Sequence, residues 1–156
     1  LSLSESLMNV KENIKFHDIC HCFMENSLCV ICNDESRDST LLSIIKDPTD
    51  ILILEKTGYN GHYHVLNGLI NPLDRVGADD LNFRSLLKRA PDYKEIIISL
   101  EPSSKGDVTS TCIIENLKSY NLQISRLARG VPVGASFDYI DEVTLTHSIE
   151  DRIIIK

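Results

Sequence analysis

Four of the five cysteines in this 156-residue chain fall between Cys20 and Cys32, and a histidine stands three positions before the first of them. The pattern His17-x2-Cys20, eight residues, Cys29-x2-Cys32 is the spacing of two facing metal knuckles. Each pair sits on a tight turn that directs two side chains at one point. Two such turns supply the tetrahedron of thiolate and imidazole donors that Zn²⁺ favours. The odd cysteine total and the opening LSLSESLMNV, with no basic start or long apolar stretch, weigh against a secreted disulfide framework. Cys20, Cys29 and Cys32 are the common members of any such set. His17 keeps the two-residue spacing and is assigned as the fourth ligand. Cys22 competes, although Cys20-x-Cys22 makes a cramped chelate, and His21 is a further alternative. Four protein ligands leave no open coordination position, which points to a structural ion. The segment is too short to build a core, so the ion would supply much of its folding energy.

The elements that must hold these residues are legible from periodicity and punctuation. Ser2 and Glu5 fit a capping box, and Leu3, Leu7, Val10 and Ile14 recur at helical spacing, which predicts an amphipathic helix docked on something. After the cysteine-rich module, strands are expected over residues 41–45, 62–66, 95–100 and 122–127. Asp47 is expected as an N-cap with Pro48 at the first helical position and Gly58 as a stop. A helix is expected around Leu81, Leu86 and Leu87, ending before Pro91. Residues 71–77 and 101–106 read as turns, 108–120 as a helix and 130–136 as a loop. A helix or helix–strand element should follow to Lys156. Strands alternating with helices imply an α/β fold with a mainly parallel sheet flanked by helices, preceded by the small metal module.

Other residue types that carry chemistry are less specific. His62 and His64 share one strand face, and without a nucleophile signature they read as structural hydrogen-bonding groups. Cys112 fits a core position. The turn Gly58-Tyr59-Asn60-Gly61 lacks the Gly-Lys-Ser/Thr ending of a phosphate loop. Arg126 and Arg129 flank a glycine-rich loop. They suit either phosphate binding or ion pairs with Asp138, Asp141 or Glu142.

Several blocks resemble the bacterial recombination mediator family RecR. They are Cys32-Asn33-Asp34 with Ser36-Arg37-Asp38, then DPTDILILEKTGYNGHYHVLNGLINPLD (residues 47–74), IIISLEPSSKGDVTSTCI (96–113) and RLARGVPVGASFDYIDEVTLTHSIEDR (126–152). The resemblance covers essentially the whole chain. It implies a helical remnant (1–16), a zinc-binding module (17–38), a Toprim-like domain (39–128) and a C-terminal assembly segment (129–156). It further implies a non-enzymatic DNA repair role in the bacterial cytoplasm, associated with the nucleoid. Subunits of the family form a homo-oligomeric, ring-shaped DNA clamp. They act with RecO and, in many bacteria, RecF to load a recombinase onto single-stranded DNA.

Three departures qualify the likeness. No Leu-Pro-Gly-Ile-Gly-like turn of a helix-hairpin-helix is present, so the sequence is expected to be a piece of a longer chain. The family's first zinc cysteine is replaced by His17. An active Toprim site would need a glutamate after one strand and an Asp-x-Asp pair after another to hold Mg²⁺. Here Lys46 stands at the first position, and only Glu101 and Asp107 are scattered at the second. This argues against the alternative of a Mg²⁺-dependent Toprim nuclease or primase fragment. Weak metal binding by Glu101 and Asp107, with or without Asp47, is the residual possibility.

Composition bounds the remaining choices. With 42% hydrophobic and 25% charged residues the chain is expected to fold, and no apolar run is long enough to span a bilayer. The formal net charge of −7 disfavours simple electrostatic attraction to DNA. DNA contact, to single strands or duplex and without sequence preference, would rest on a local set such as Lys46, Arg75, Lys105, Arg126 and Arg129. A zinc-containing protein-interaction module without DNA contact is the competing class.

Overall fold

The computed structural model describes residues 2–25 and 29–155 and divides into two compact units, Leu1–Ser125 and Arg126–Lys156. In the first unit, helix α1 (Leu3–Asn13) opens on the expected capping box: the Ser2 hydroxyl accepts from the Glu5 amide, and the Glu5 carboxylate accepts from the Ser2 amide. Its apolar stripe packs on nothing among the described residues. Leu3 is 78% exposed and Leu7 63%, so the expected docking contact is not made here.

Strands β1 (Ile14–Phe16) and β2 (Phe23–Glu25) form an antiparallel hairpin in which Phe16 pairs with Phe23. The metal-knuckle residues 17–22 form its tip.

The main sheet has the order β4-β3-β5-β6, built from β3 (Asp38–Ile45), β4 (Gly61–Val65), β5 (Glu95–Ile98) and β6 (Gln123–Arg126). β3 pairs in parallel with both β4 and β5. Parallel neighbours need crossovers, and the sequence supplies them. After β3, Asp47 caps a short 3₁₀ turn with Pro48 at its start, which leads into α2 (Ile51–Leu54). Gly58 ends that segment at φ 80°, a left-handed value that a side chain resists. Helix α3 (Phe83–Arg89) follows β4, and α4 (Ser104–Leu117) follows β5.

Period-2 alternation divides the sheet's apolar residues between two cores. Leu42, Ile44, Ile96 and Ile98 pack with Phe83, Leu86, Ile113 and Leu117 from α3 and α4. Ile45, Tyr63 and Val65 pack instead with Cys20, Cys22, Cys29 and Ile31, and with Ile51 and Leu54 of α2. The metal module is therefore one of the sheet's covering layers. Cys112 lies half-buried against the first core.

One expectation is corrected. The polar turn expected over 101–106 is shorter, because Ser103 caps α4 through the Gly106 amide, so Lys105, Gly106 and Asp107 form the helix's first turn. Serine at this N-cap is a stronger start signal than the apolar pattern that begins at Val108. In the second unit the helix alternative holds: α5 (Glu142–Glu150) is the final regular element among the described residues, and no strand follows it there.

Candidate metal centre and strand-end rim

The hairpin tip is tightly organised before any ligand is considered. The His17 amide donates to the Cys22 carbonyl at 2.9 Å, and the His21 amide donates to the His17 carbonyl at 2.8 Å. His21 adopts φ 59°, which turns the chain back toward β2. The second knuckle closes in the same way, with the Asn33 amide on the Cys29 carbonyl at 3.1 Å.

These turns place one donor atom each from His17, Cys20, Cys29 and Cys32 within 4.8 Å of one another. His17 Nδ1 lies 3.1 Å from Cys20 Sγ, and Cys20 Sγ lies 3.6 Å from Cys29 Sγ. A zinc–sulfur bond of about 2.3 Å sets a tetrahedral S···S edge near 3.8 Å, so the cage has the dimensions and donor types of a zinc site. Cys22 and His21 lie outside this group. Cys22 is buried, with its Sγ 3.8 Å from the Cys20 carbonyl oxygen. His21 Nε2 meets the Ser85 hydroxyl at 2.8 Å. Hydrogen bonds from Cys20 and Cys32 hold the Cys29 thiol far below its ordinary pKa. Hydrogen bonding to Cys22 and Cys29 raises that of Cys20, and hydrogen bonding to Cys20 and Cys29 raises that of Cys32. The three crowded thiols thus drive one another's pKa values apart. A divalent cation at their centre would let all three ionise.

The module is fastened to the sheet at named points. The Val65 amide, on edge strand β4, donates to the Cys20 carbonyl at 2.9 Å, which satisfies a main-chain donor that an edge leaves open. Arg37, following the second knuckle, grips Glu55 through both terminal nitrogens at 3.0 and 2.6 Å and donates to the Gly61 carbonyl at 3.0 Å. The Tyr63 hydroxyl donates to the same Glu55 at 2.7 Å. The hydrogen bonds from Arg37 keep the Glu55 carboxyl below its usual range.

On the opposite sheet face His62 and His64 do side by side what their alternation suggests. His64 is wholly buried, with Nε2 2.9 Å from the Asn82 carbonyl and Nδ1 3.3 Å from Arg89. His62 Nδ1 lies 3.1 Å from the Tyr93 hydroxyl. Burial pushes the His64 pKa down to about 3, so its ring is neutral and structural.

The second set of chemically capable residues lies at the carboxyl ends of the parallel strands, where α/β sheets place their ligands. Lys46, just past β3, pairs with Glu101, just past β5, at 3.3 Å. Lys105, in the first turn of α4, reaches Asp74 at 3.9 Å. Gly106 approaches so closely that a Cβ there would lie 2.1 Å from the Glu101 carbonyl oxygen. Asp47 is engaged in capping, accepting from the Thr49 amide and hydroxyl. Among the described residues, Asp47, Glu101 and Asp107 do not assemble into a group of three metal donors; the only such group is the His/Cys cage. Arg75 is exposed in the loop beside Asp74, with φ 59°. In the second unit, Arg126 and Arg129 pair with Asp151, at 3.2 Å each, a carboxylate that the sequence reading did not name. Asp138 sits in a 3₁₀ turn and Asp141 caps α5, while Asp151 just past that helix faces both arginines.

The Toprim domain family model matches residues 41–128, and the family model "RecR, C-terminal" matches residues 130–153. A recombination protein RecR of Cytophaga hutchinsonii is 42% identical over 159 residues, spanning 99% of this chain and 78% of its own. That of Finegoldia magna is 45% identical over 99% of this chain and 79% of its own. The chain belongs to the RecR family. A third relative, from Acidothermus cellulolyticus, is 42% identical over 96% of this chain and 77% of its own. Membership makes this a protein of recombination and repair, carrying a Toprim domain and a His/Cys cluster able to hold a metal. Among the described residues no helix is long and apolar enough to cross a membrane.

Sequence reasoning missed the residues that fasten the module to the sheet. Arg37, Glu55 and Tyr63 are 18 and 8 positions apart, and no local pattern links them. The Arg126–Asp151 and Arg129–Asp151 pairs span 25 and 22 positions and were equally hidden.

Proposed function

We propose that this RecR-family chain is a non-enzymatic recombination mediator. In this reading it is a DNA-clamp subunit that assembles with its own copies into a ring. With RecO-type and RecF-type partners it assists recombinase loading onto single-stranded DNA at the bacterial nucleoid. His17, Cys20, Cys29 and Cys32 hold one Zn²⁺, which organises residues 17–38 as a module between a helical segment (1–16) and the Toprim domain (39–128). Residues 129–156 serve assembly.

The observation that carries the absence of catalysis is Lys46. An ammonium group takes the place of the strand-end glutamate, and it is ion-paired to Glu101, one of the few acids left at the second strand end. The same lysine suits phosphate. Lys46, Arg75, Lys105, Arg126 and Arg129 are the proposed phosphate contacts. Affinity should therefore fall steeply with salt and show little sequence preference. Subunits in a ring would add weak contacts through effective concentration.

The test is a salt titration of DNA binding by the assembled protein, with and without Lys46→Glu plus Lys105→Glu. Loss of binding with a shallower salt slope supports the reading. Unchanged binding overturns it in favour of a zinc-containing protein-interaction module, which the net charge of −7 also permits. Mg²⁺-dependent cleavage that disappears on Glu101→Ala would overturn the non-enzymatic assignment.

A further inference from the structure

Beyond the carboxyl end of β4, a cleft of about 130 Å³ opens between Phe16, His21, Asn67 and Asn82. It is smaller than the roughly 300 Å³ that a drug-sized ligand fills, so it suits a single ring system. Its walls combine an aromatic face with amide and imidazole edges. Phe16 is 55% exposed and lies stacked on Phe23 at 5.4 Å, so the hairpin presents an aromatic pair to solvent. Asn67, on the same cleft, stands exposed at φ 62° in the left-handed region, and its side-chain amide makes no hydrogen bond among the described residues. Asn82, which also lines the cleft, uses its amide nitrogen to donate to the Val65 carbonyl at 3.0 Å. His21 is held by Ser85 and by an edge-on contact with His64, so its ring is fixed before anything binds.

The cleft is tied to the strand-end rim by main-chain hydrogen bonds. The Leu66 amide donates to the Ile45 carbonyl and the Gly68 amide to the Lys46 carbonyl, which brackets Asn67 beside the residue that carries the rim's lysine. A flat ring with donors and acceptors on its edge, attached to a phosphate, would meet both features together.

We propose that this cleft takes one unpaired nucleobase of a DNA strand, stacked on Phe16 and met on its edge by Asn67 and Asn82, while the adjoining phosphate lies at Lys46. The inference rests on the DNA-binding reading above and adds to it a contact that duplex DNA, with its bases paired and stacked, cannot make. It gives a preference for single strands by a mechanism that phosphate contacts alone do not supply.

The test compares binding of the full chain, at low salt, to a single-stranded oligonucleotide and to an abasic sugar-phosphate strand of equal length and charge. The base-bearing strand should bind more tightly by on the order of tenfold. Phe16→Ala and Asn67→Gly should each remove most of that difference and leave abasic affinity unchanged. Phe16→Tyr, which keeps a stacking face, should retain it. Glycine at position 67 preserves the left-handed backbone while deleting the amide. Metal content of each variant reports whether the hairpin remains folded, and the Phe16→Tyr and Asn67→Gly comparison stands if Phe16→Ala does not fold. Equal affinity for the two strands, with salt-dependent binding retained, overturns the base pocket and leaves the phosphate reading intact. Failure to bind either strand overturns both.

Discussion

With a metal held by the four-donor cage as proposed, its removal should weaken the Toprim sheet as well as the segment around the cage. Ile45 and Tyr63 are 0% exposed and Val65 is 1% exposed, and the metal module with α2 forms their cover. Full burial of side chains of this kind is worth roughly 1.5–3 kcal/mol each. If chelation unfolds the module, α2 still covers part of the face. Loss of about half the cover from three side chains then costs roughly 2–4 kcal/mol, a large share of the ~5–15 kcal/mol that holds a domain together. The same event removes the acceptor of the Val65 amide. The assays are urea denaturation and amide hydrogen exchange on protein stripped with a chelator and on protein refilled with Zn²⁺. Stripping should lower the urea midpoint and expose the Val65 amide. Cys29→Ser should mimic stripping, whereas Cys22→Ser should retain the metal, because Cys22 lies outside the four-donor group. If the metal leaves and both the midpoint and Val65 protection stay as they were, the module is not metal-organised and the reasoning fails.

Acid should destabilise the first unit through His64. Its folded pKa of about 3 lies below the ordinary value of roughly 6.5, so between those limits the unfolded chain binds a proton that the folded chain does not. Stability therefore falls as pH drops through that window, by roughly 2 kcal/mol at pH 5 from this group; an imidazole resonance of native His64 titrating near neutrality would refute it. Gly106→Ala sets a helix-propensity gain of about 1 kcal/mol against a Cβ placed 2.1 Å from the Glu101 carbonyl oxygen. Backbone overlap should win, with a net loss of about 2 kcal/mol in urea denaturation, and an equal or more stable variant rejects the close packing. Arg37→Lys keeps the charge but loses the two-pronged grip on Glu55, at a cost of roughly 2 kcal/mol by thermal denaturation; an unchanged midpoint removes Arg37 from the module's attachment. Glu101→Gln plus Asp74→Asn should release Lys46 and Lys105 and raise DNA affinity at low salt, and unchanged affinity argues that those lysines do not meet phosphate.

The legible parts of the molecule are those written in local pattern. The capping residues Ser2, Asp47 and Ser103 act on amides two or three positions away, and the alternation in β3 and β4 assigns neighbouring residues to opposite cores. Two of those caps were read directly from the sequence. Ser103 was overlooked because the polar run after Glu101 looks like a turn until its serine is seen to hold the Gly106 amide. The knuckle spacing brought forward the four donors that lie together, because each pair needs only one tight turn. Spacing favoured His17 over Cys22, and the four-donor group contains His17. That distinction depends on the hairpin register, in which Phe16 opposite Phe23 leaves His17 to receive the chain returning at Cys22. What remained hidden is the placement of the module over edge strand β4, since it depends on side chains far apart in sequence.

The arrangement of charge at the strand-end rim reconciles an acidic chain with the phosphate-binding role proposed for it. Lys46 and Lys105 are not bare cations: each is held by a carboxylate, and in both pairs the side chains remain between 42% and 71% exposed. Ion pairs that open to water are worth only about 0–1 kcal/mol, so an arriving phosphate can replace Glu101 or Asp74 at little cost. Asp151 differs, because one carboxylate faces two guanidinium groups. Arg129 at 17% and Asp151 at 26% are less exposed than either lysine pair, whereas Arg126, at 46%, is as open as Lys46. The pairing lowers long-range attraction without removing the contacts available at short range. A protein built this way gains little from diffusive steering by charge and depends on being held near its strand, which is the condition that a ring of subunits or a second DNA-binding segment would satisfy.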